Sequence, residues 1–278
     1  MNRGKKSLIP VVGGYTIVEV LIFLAVSGMM FFMALTFIGG QQNKAQFVSA
    51  VRDFESQLTD IANDVSTGYY VRPVDFTCTT SAITPVPAEQ GTNGDCIFLG
   101  TVLKFGTDGG NREQFMQFTM AGLRQSGGEN VTSVAQANPR PIYGAGLEQA
   151  AKTVTLGYGS AVRCIAFNNA TSCTPGSNTN AAFGFFTTFG GVSPAGGTGI
   201  QTDLLPYSAV TFNENIAATV AKLRTPDIAA NALENILICI ESGATNQYAF
   251  VKIGGNNTGS SVVTTEIRNT GGGSPLCG

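Results

Sequence analysis

The sequence contains no histidine and no tryptophan. Without an imidazole there is no Ser–His–Asp or Cys–His pair and no histidine metal ligand, so catalysis would fall to carboxylates or lysines. Charge is also scarce: Asp, Glu, Lys and Arg make up 12% of the chain, with a formal net charge of −2. The only charges in the first fourteen residues are Arg3, Lys5 and Lys6, so the rest of the chain is more acidic than the total. Such a body offers no general phosphate-neutralising surface, and Arg140, Arg163, Lys222 and Arg224 are scattered along the chain rather than patterned. The six cysteines include no C-x-x-C pair, which argues against a zinc site or a thioredoxin-like motif. There is no defensible internal repeat and no pair of carboxylates at a catalytic spacing. An enzyme therefore ranks last among the readings, with no catalytic residue, cofactor or metal expected.

What the 278 residues do hold is 43% hydrophobic residues and 35 glycines. That is enough for one sizeable core or two small ones. The texture is that of a Gly/Ser/Thr-rich β domain outside a cell rather than a cytosolic α/β enzyme. The longest hydrophobic run lies near the N-terminus. From Tyr15 to Ile38 the chain is apolar except for Glu19 and small hydroxyl residues, long enough to cross a hydrocarbon core as a helix, which takes about 20 residues. The basic cluster before it would stay on the cytoplasmic side, leaving the body outside. An ordinary secretory signal is cut after its apolar run. Here the small-residue site, Gly13-Gly14, lies before the run, so cutting there removes the basic leader and keeps the helix.

This arrangement resembles the class III leader of type IV prepilins and type II secretion pseudopilins: a short basic leader, a glycine, an aromatic residue and an apolar stretch, with a glutamate as the fifth residue after the cut. Gly14 stands before the cut, Tyr15 stands where Phe is more usual, Thr16, Ile17 and Val18 follow, and Glu19 takes the acidic position. The resemblance covers residues 1–45. It implies that a prepilin peptidase cuts after Gly14 and methylates the new amine of Tyr15. It also implies that Glu19 meets the Tyr15 amine of a neighbouring subunit and so sets the packing register. On the residue alone, a carboxylate in a membrane helix costs a few kcal/mol, and Glu19 could instead reach water at the membrane edge. One departure is the absence of a helix-bending proline about twenty residues into the mature helix. Thr36 is near that place, and the Gly39-Gly40 pair is expected to loosen the helix instead.

Beyond Gly40, Phe47, Val51, Phe54, Leu58, Ile61 and Val65 are spaced 4, 3, 4, 3, 4, one apolar stripe on a helix. Arg52, Asp53, Glu55, Asp60 and Asp64 lie off it. Gly68 is a C-terminal stop and Arg72-Pro73 forbids continuation. The pattern predicts one helix over Tyr15–Thr67, about 80 Å at 1.5 Å per residue, whose second half packs under a β domain.

From Tyr69 on, short β-like runs alternate with Gly/Ser/Thr/Asn loops. Strands are expected at Cys96–Phe105, Gln114–Met120, Thr153–Leu156, Ala161–Phe167, Ala182–Phe189, Ser208–Phe212, Asn235–Glu241, Tyr248–Ile253 and Val262–Ile267, and a short helix at Asn215–Leu223. Their spacing suits a mainly antiparallel sheet. Thr84–Ala88, Gly190–Gly199, Thr107–Asn111 and Gly254–Gly259 read as loops or turns, and Ala135–Gly146 as a separator of two sub-sheets. Asn130-Val131-Thr132, Asn169-Ala170-Thr171 and Asn256-Asn257-Thr258 are glycosylation triplets of the kind that arise often by chance. In an exported body the cysteines are expected to be disulfides. Nearest-in-sequence pairing gives Cys78–Cys96, Cys164–Cys173 and Cys239–Cys277, with free buried thiols as the alternative. The last of these resembles the C-terminal disulfide loop of many pilins.

The expected organisation is thus a leader over residues 1–14, a membrane and assembly helix over 15–67 and a disulfide-stapled β-rich body over 69–278. The fold class is α+β: a long N-terminal helix packed against a mainly antiparallel sheet, as in pilins. The resemblance implies a structural subunit of a type IV pilus. Before assembly it would sit in the cytoplasmic membrane among lipid, body outward; afterwards it would lie in an extracellular filament. Its partners would be the prepilin peptidase, an assembly platform and other pilin subunits. The ligand of the body, DNA included, is left open. The rivals are a type II secretion pseudopilin and a membrane-anchored binding protein.

Overall fold

The computed structural model describes residues 14–70, 75–86, 95–107, 109–147, 151–168, 173, 179–189, 202–224, 235–254 and 263–269. The chain divides into two compact units, Met1–Lys44 and Ala45–Gly278, and the first helix, α1 (Ile17–Thr67), contributes to both. The helix starts two residues later than expected because Thr16 lies outside it and caps it. The helical assignment continues through Gly39 and Gly40, so the pair does not interrupt the element. At the other end Gly68 adopts a left-handed φ of 71°. Its N–H bonds the Val65 carbonyl at 3.2 Å, and that of Tyr69 bonds the Asp64 carbonyl at 2.8 Å. This paired closure is the Schellman arrangement, which glycine permits without strain.

In the second unit the apolar stripe of α1 is buried as its spacing requires: Phe47, Val51, Phe54, Leu58, Ile61 and Val65 all enter the core. Arg52, Asp53, Asp60 and Asp64 remain exposed and Glu55 is half-buried. Two sheets supply most of the rest of that core. The larger has six strands in the order β11 (Thr202–Pro206), β10 (Ala182–Thr187), β3 (Cys96–Phe105) and β4 (Gln114–Leu123); β7 (Arg140–Pro141) and β8 (Ala151–Thr155) both pair with β4. The smaller runs β14 (Val263–Asn269), β13 (Gln247–Gly254), β12 (Asn235–Ser242) and β9 (Ser160–Phe167). Two short ribbons, β1 (Phe76–Cys78) with β2 (Ile83–Pro85) and β5 (Gln125–Ser126) with β6 (Glu129–Asn130), stand apart. Every pairing among the described strands is antiparallel. The fold class is therefore α+β.

Alternation along the strands sorts the side chains. On β3 and β4, Leu103, Phe105 and Phe115 are buried on the face toward α1. There Phe54 meets Phe105 and Phe115 edge-on, at 6.1 and 5.6 Å between ring centres. On the smaller sheet, Ile236, Ile238 and Ile240 belong to this main core, whereas Leu237 and Cys239 belong to a separate cluster with Cys164, Ala166 and Phe250. Gly100, at a register shift in β3, allows close approach to β10, since a Cβ there would collide with the Phe185 carbonyl.

Three expectations are corrected. Ser208–Phe212 is a turn region, and the strand is β11, just before it. Val210 and Phe212 are buried in irregular backbone, which imitates strand alternation. Thr84 and Pro85, at the start of the expected Thr84–Ala88 loop, belong to the strand Ile83–Pro85, an edge position where proline is tolerated. Ala135–Gly146 does not separate the sheets. It carries β7 into the larger one, while the chain passes from the larger to the smaller between β8 and β9, at the tight turn Gly157–Gly159. The short helix, α2 (Ile216–Lys222), is where it was expected, because the Asn215 side chain accepts the Ala218 N–H and caps it. Other expected ends differ by a few residues, as at β8 and β10. Residues 190–199 and 255–259 lie outside the described residues.

Phe54→Ala should cost about 3–5 kcal/mol, as deletion of a large buried aromatic does. Guanidinium unfolding of the full chain in detergent measures this; a loss below about 1 kcal/mol would mean that the stripe does not hold the core.

Candidate functional site

The residues singled out for processing and assembly lie together at the start of α1. Gly14 and Tyr15 precede the helix, outside any regular element, and are exposed, Tyr15 by 83%. Glu19 occupies the first turn of the helix. Its carboxylate accepts from the Thr16 backbone N–H at 3.4 Å and lies 3.5 Å from the Thr16 hydroxyl. The Thr16 hydroxyl oxygen in turn accepts the Glu19 N–H at 3.3 Å. This is a capping box: each residue satisfies an N–H left unpaired at a helix start, and the acidic group faces the positive end of the helix dipole. In the sequence Glu19 stands out as a charge in an apolar run, and the Thr-x-x-Glu spacing is the signal for its cap. The carboxylate thus has a local partner within one chain, and its exposure leaves it accessible to a second.

Around and beyond Glu19, the helix is apolar on every side. Ile17, Leu21, Phe23, Leu24, Met30, Phe31 and Phe32 are each at least 60% exposed. None of its most apolar 18-residue stretch is buried. The helix is long and apolar enough to cross a membrane. In water such a surface would far exceed the few hundred Å² that soluble proteins expose.

The expected disulfides form where described. Cys78 and Cys96 are bonded, with α-carbons 5.4 Å apart, and Cys164 and Cys173 are bonded at 5.8 Å. Cys239 is also disulfide-bonded; its expected partner, Cys277, lies outside the described residues. Cys239 sits directly opposite Cys164 across β12 and β9, and the sulfurs of Cys164, Cys173 and Cys239 lie within 4.8 Å of one another. This cluster has the spacing of a metal site, but thiols committed to disulfides do not supply the thiolates a metal needs.

On sequence alone Lys104 is one residue of the strand Cys96–Phe105. It is 1% exposed, and its ammonium donates to the carbonyls of Gly106, Phe212 at 3.3 Å and Glu214 at 3.0 Å. It ties the β3–β4 hairpin to the segment before α2. Its place opposite the Leu103 and Phe105 face was the signal that could have found it. Two of the four scattered cations are ion-paired: Arg163 with Glu241 at 2.8 Å and Lys222 with Glu214 at 2.5 Å. Arg140 donates to the Thr80 carbonyl at 2.6 Å, and burial, together with the nearby positive charge of Arg224, holds its pKa below the ordinary value. Asn130, of the first glycosylation triplet, is exposed in the β5–β6 hairpin; Asn169 and Asn256 lie outside the described residues.

No protein-family model matches the chain. No curated protein and no solved structure matches it either.

Replacing both Cys78 and Cys96 by serine should lower stability by about 3 kcal/mol, the scale expected for a short closed loop, read from denaturation midpoints. Peptide mapping without reduction should recover Cys78 linked to Cys96 and Cys164 linked to Cys173, with Cys239 linked to Cys277. A Cys164–Cys239 link would contradict this pairing.

Proposed function

We propose that the chain is a structural subunit of a type IV pilus. A prepilin peptidase cuts it after Gly14 and methylates Tyr15, α1 holds it in the membrane with the body outside, and the apolar part of α1 then packs with other subunits into a surface filament. The observation that carries this reading is the helix start: an all-round apolar surface interrupted by one accessible carboxylate, Glu19, just after a small-residue cut site.

The physics supports a two-environment life for that surface. Lipid tails and neighbouring apolar helices solvate it almost equally well, so moving from bilayer to bundle is not opposed by a large hydrophobic cost. Within lipid the Glu19 charge is expensive and is met by the Thr16 N–H. In a bundle it would be met by the free amine of a neighbour's Tyr15, and opposite charges attract strongly in a poorly screened setting. That pairing requires one axial stagger, which makes Glu19 a register key. The surface function of such a filament, whether adhesion, motility or DNA uptake, belongs to the body. A pseudopilin of a secretion pump uses the same physics in a shorter filament.

The capping box favours a second reading, a membrane-anchored binding protein, because it gives Glu19 a purpose without any neighbour. Glu19→Gln separates the two, since glutamine also completes a capping box but carries no charge. A pilus subunit should keep its level in the membrane fraction and disappear from the sheared surface fraction. An unchanged sheared fraction would assign Glu19 to capping alone and sink the register role.

A further inference from the structure

The face of the larger sheet that α1 covers changes character along its length. Under the helix it is apolar and fully buried, at Leu103, Phe105 and Phe115. Toward the end of α1 the same face presents Thr101, Gln117 and Thr119, all half-buried. The register places Thr101 opposite Thr119 and Leu103 opposite Gln117, so the polar patch continues the apolar one on the same side. These side chains floor an open groove of about 470 Å³, within the range of small-ligand sites. Tyr69 and Tyr70, which follow the glycine stop of α1, line it too. Tyr69 is 62% exposed, and the Tyr70 ring is held by stacking on Phe98 at 4.9 Å between centres.

None of the polar side chains of Thr101, Gln117 and Thr119 has a hydrogen-bond partner among the described residues. Two hydroxyls and a carboxamide offer donors and acceptors together. A purely apolar ligand would strand them, at the cost of unmade hydrogen bonds. A strongly charged ligand finds no matching field, because the groove's charged lining residues, Asp64 and Lys152, are of opposite sign. Tyrosine rings supply flat apolar faces with a polar edge. A ligand that suits all of these is neutral, rich in hydroxyls and flat-faced on one side.

From this lining we infer that the groove is a binding site for a neutral carbohydrate of one or two pyranose rings, the ring face laid on tyrosine and the hydroxyls bonded to Thr101, Gln117 and Thr119. The site belongs wholly to residues 45–278 and does not depend on whether the chain forms a filament.

The test is saturation-transfer NMR on the full chain in a detergent without a sugar headgroup. The probes are glucose, galactose, N-acetylglucosamine, N-acetylgalactosamine and their β-linked disaccharides, with sialic acid and an acidic peptide as charged comparators. At least one neutral sugar should receive transfer. Tyr69→Ala, Gln117→Leu and Thr119→Val should each weaken its titrated affinity about tenfold, the size of one lost contact of roughly 1.4 kcal/mol. Tyr158→Ala, at an exposed tyrosine outside the groove, should leave it unchanged. Unfolding midpoints for every variant separate loss of the site from loss of the fold; Thr119→Val and Gln117→Leu are alternatives should Tyr69→Ala perturb the end of the helix. No transfer to any neutral sugar, transfer only to the charged comparators, or binding unmoved by the groove variants that fold would overturn the assignment.

Discussion

Phe54 sits edge-on between Phe105 and Phe115, and Phe105 stacks in turn beside Phe183 at 5.8 Å. That cluster joins a helix stripe to β3, β4 and β10. Much of the body depends on it, because those strands have Val102, Lys104 and Phe118 on their other side and are buried on both. A sheet buried on both faces cannot trade a lost contact for solvent, and close-packed interiors transmit such losses widely. The stripe from Phe47 to Val65 is thus an internal member of the body's core.

The same helix has an N-terminal part with no stripe at all. From Ile17 to Leu35 its large side chains face outward. Helix propensity alone gives a long helix little stability, and tertiary burial or a nonpolar solvent must supply the rest. For residues 45–67 the sheets supply it. For the apolar part the candidates are lipid and copies of itself, and the two are close in free energy, which is what a reversible passage between membrane and filament needs. Glu19 is the one group there whose free energy differs strongly between environments. In the proposed assembly it would therefore be the point of control, and its capping bonds to Thr16 are the local state from which a pairing with a neighbour would begin.

How legible all this was in the sequence varied with the range of the interactions. The α1 stripe was readable in full, since each of its six positions follows from helical period alone and each is buried. The α2 helix was readable from Asn215, and the Cys78–Cys96 and Cys164–Cys173 bonds from short separation. β11 was not readable, because its pairing with β10 is made across residues whose composition says only loop, while Val210 and Phe212 alternate like a strand without being one. The burial of Lys104 was hidden for the same reason: its acceptors Phe212 and Glu214 are more than a hundred positions away in the chain. The spacing of Gly14, Tyr15 and Glu19, on which the proposed processing and assembly rest, is a sequence pattern. The Thr16 cap was equally visible but lost to the louder oddity of a charge in an apolar run. The polar groove was invisible, since Thr101, Gln117 and Thr119 come together only through strand register.

The most direct test of the central claim is the mass of the mature N-terminus, measured on intact protein and N-terminal peptides from membrane and sheared-surface fractions. A chain that begins at N-methylated Tyr15 in both fractions is the predicted result. A chain that still begins at Met1, or one cut beyond Ile38, would contradict it, because either form lacks the free Tyr15 amine on which the pairing with Glu19 depends.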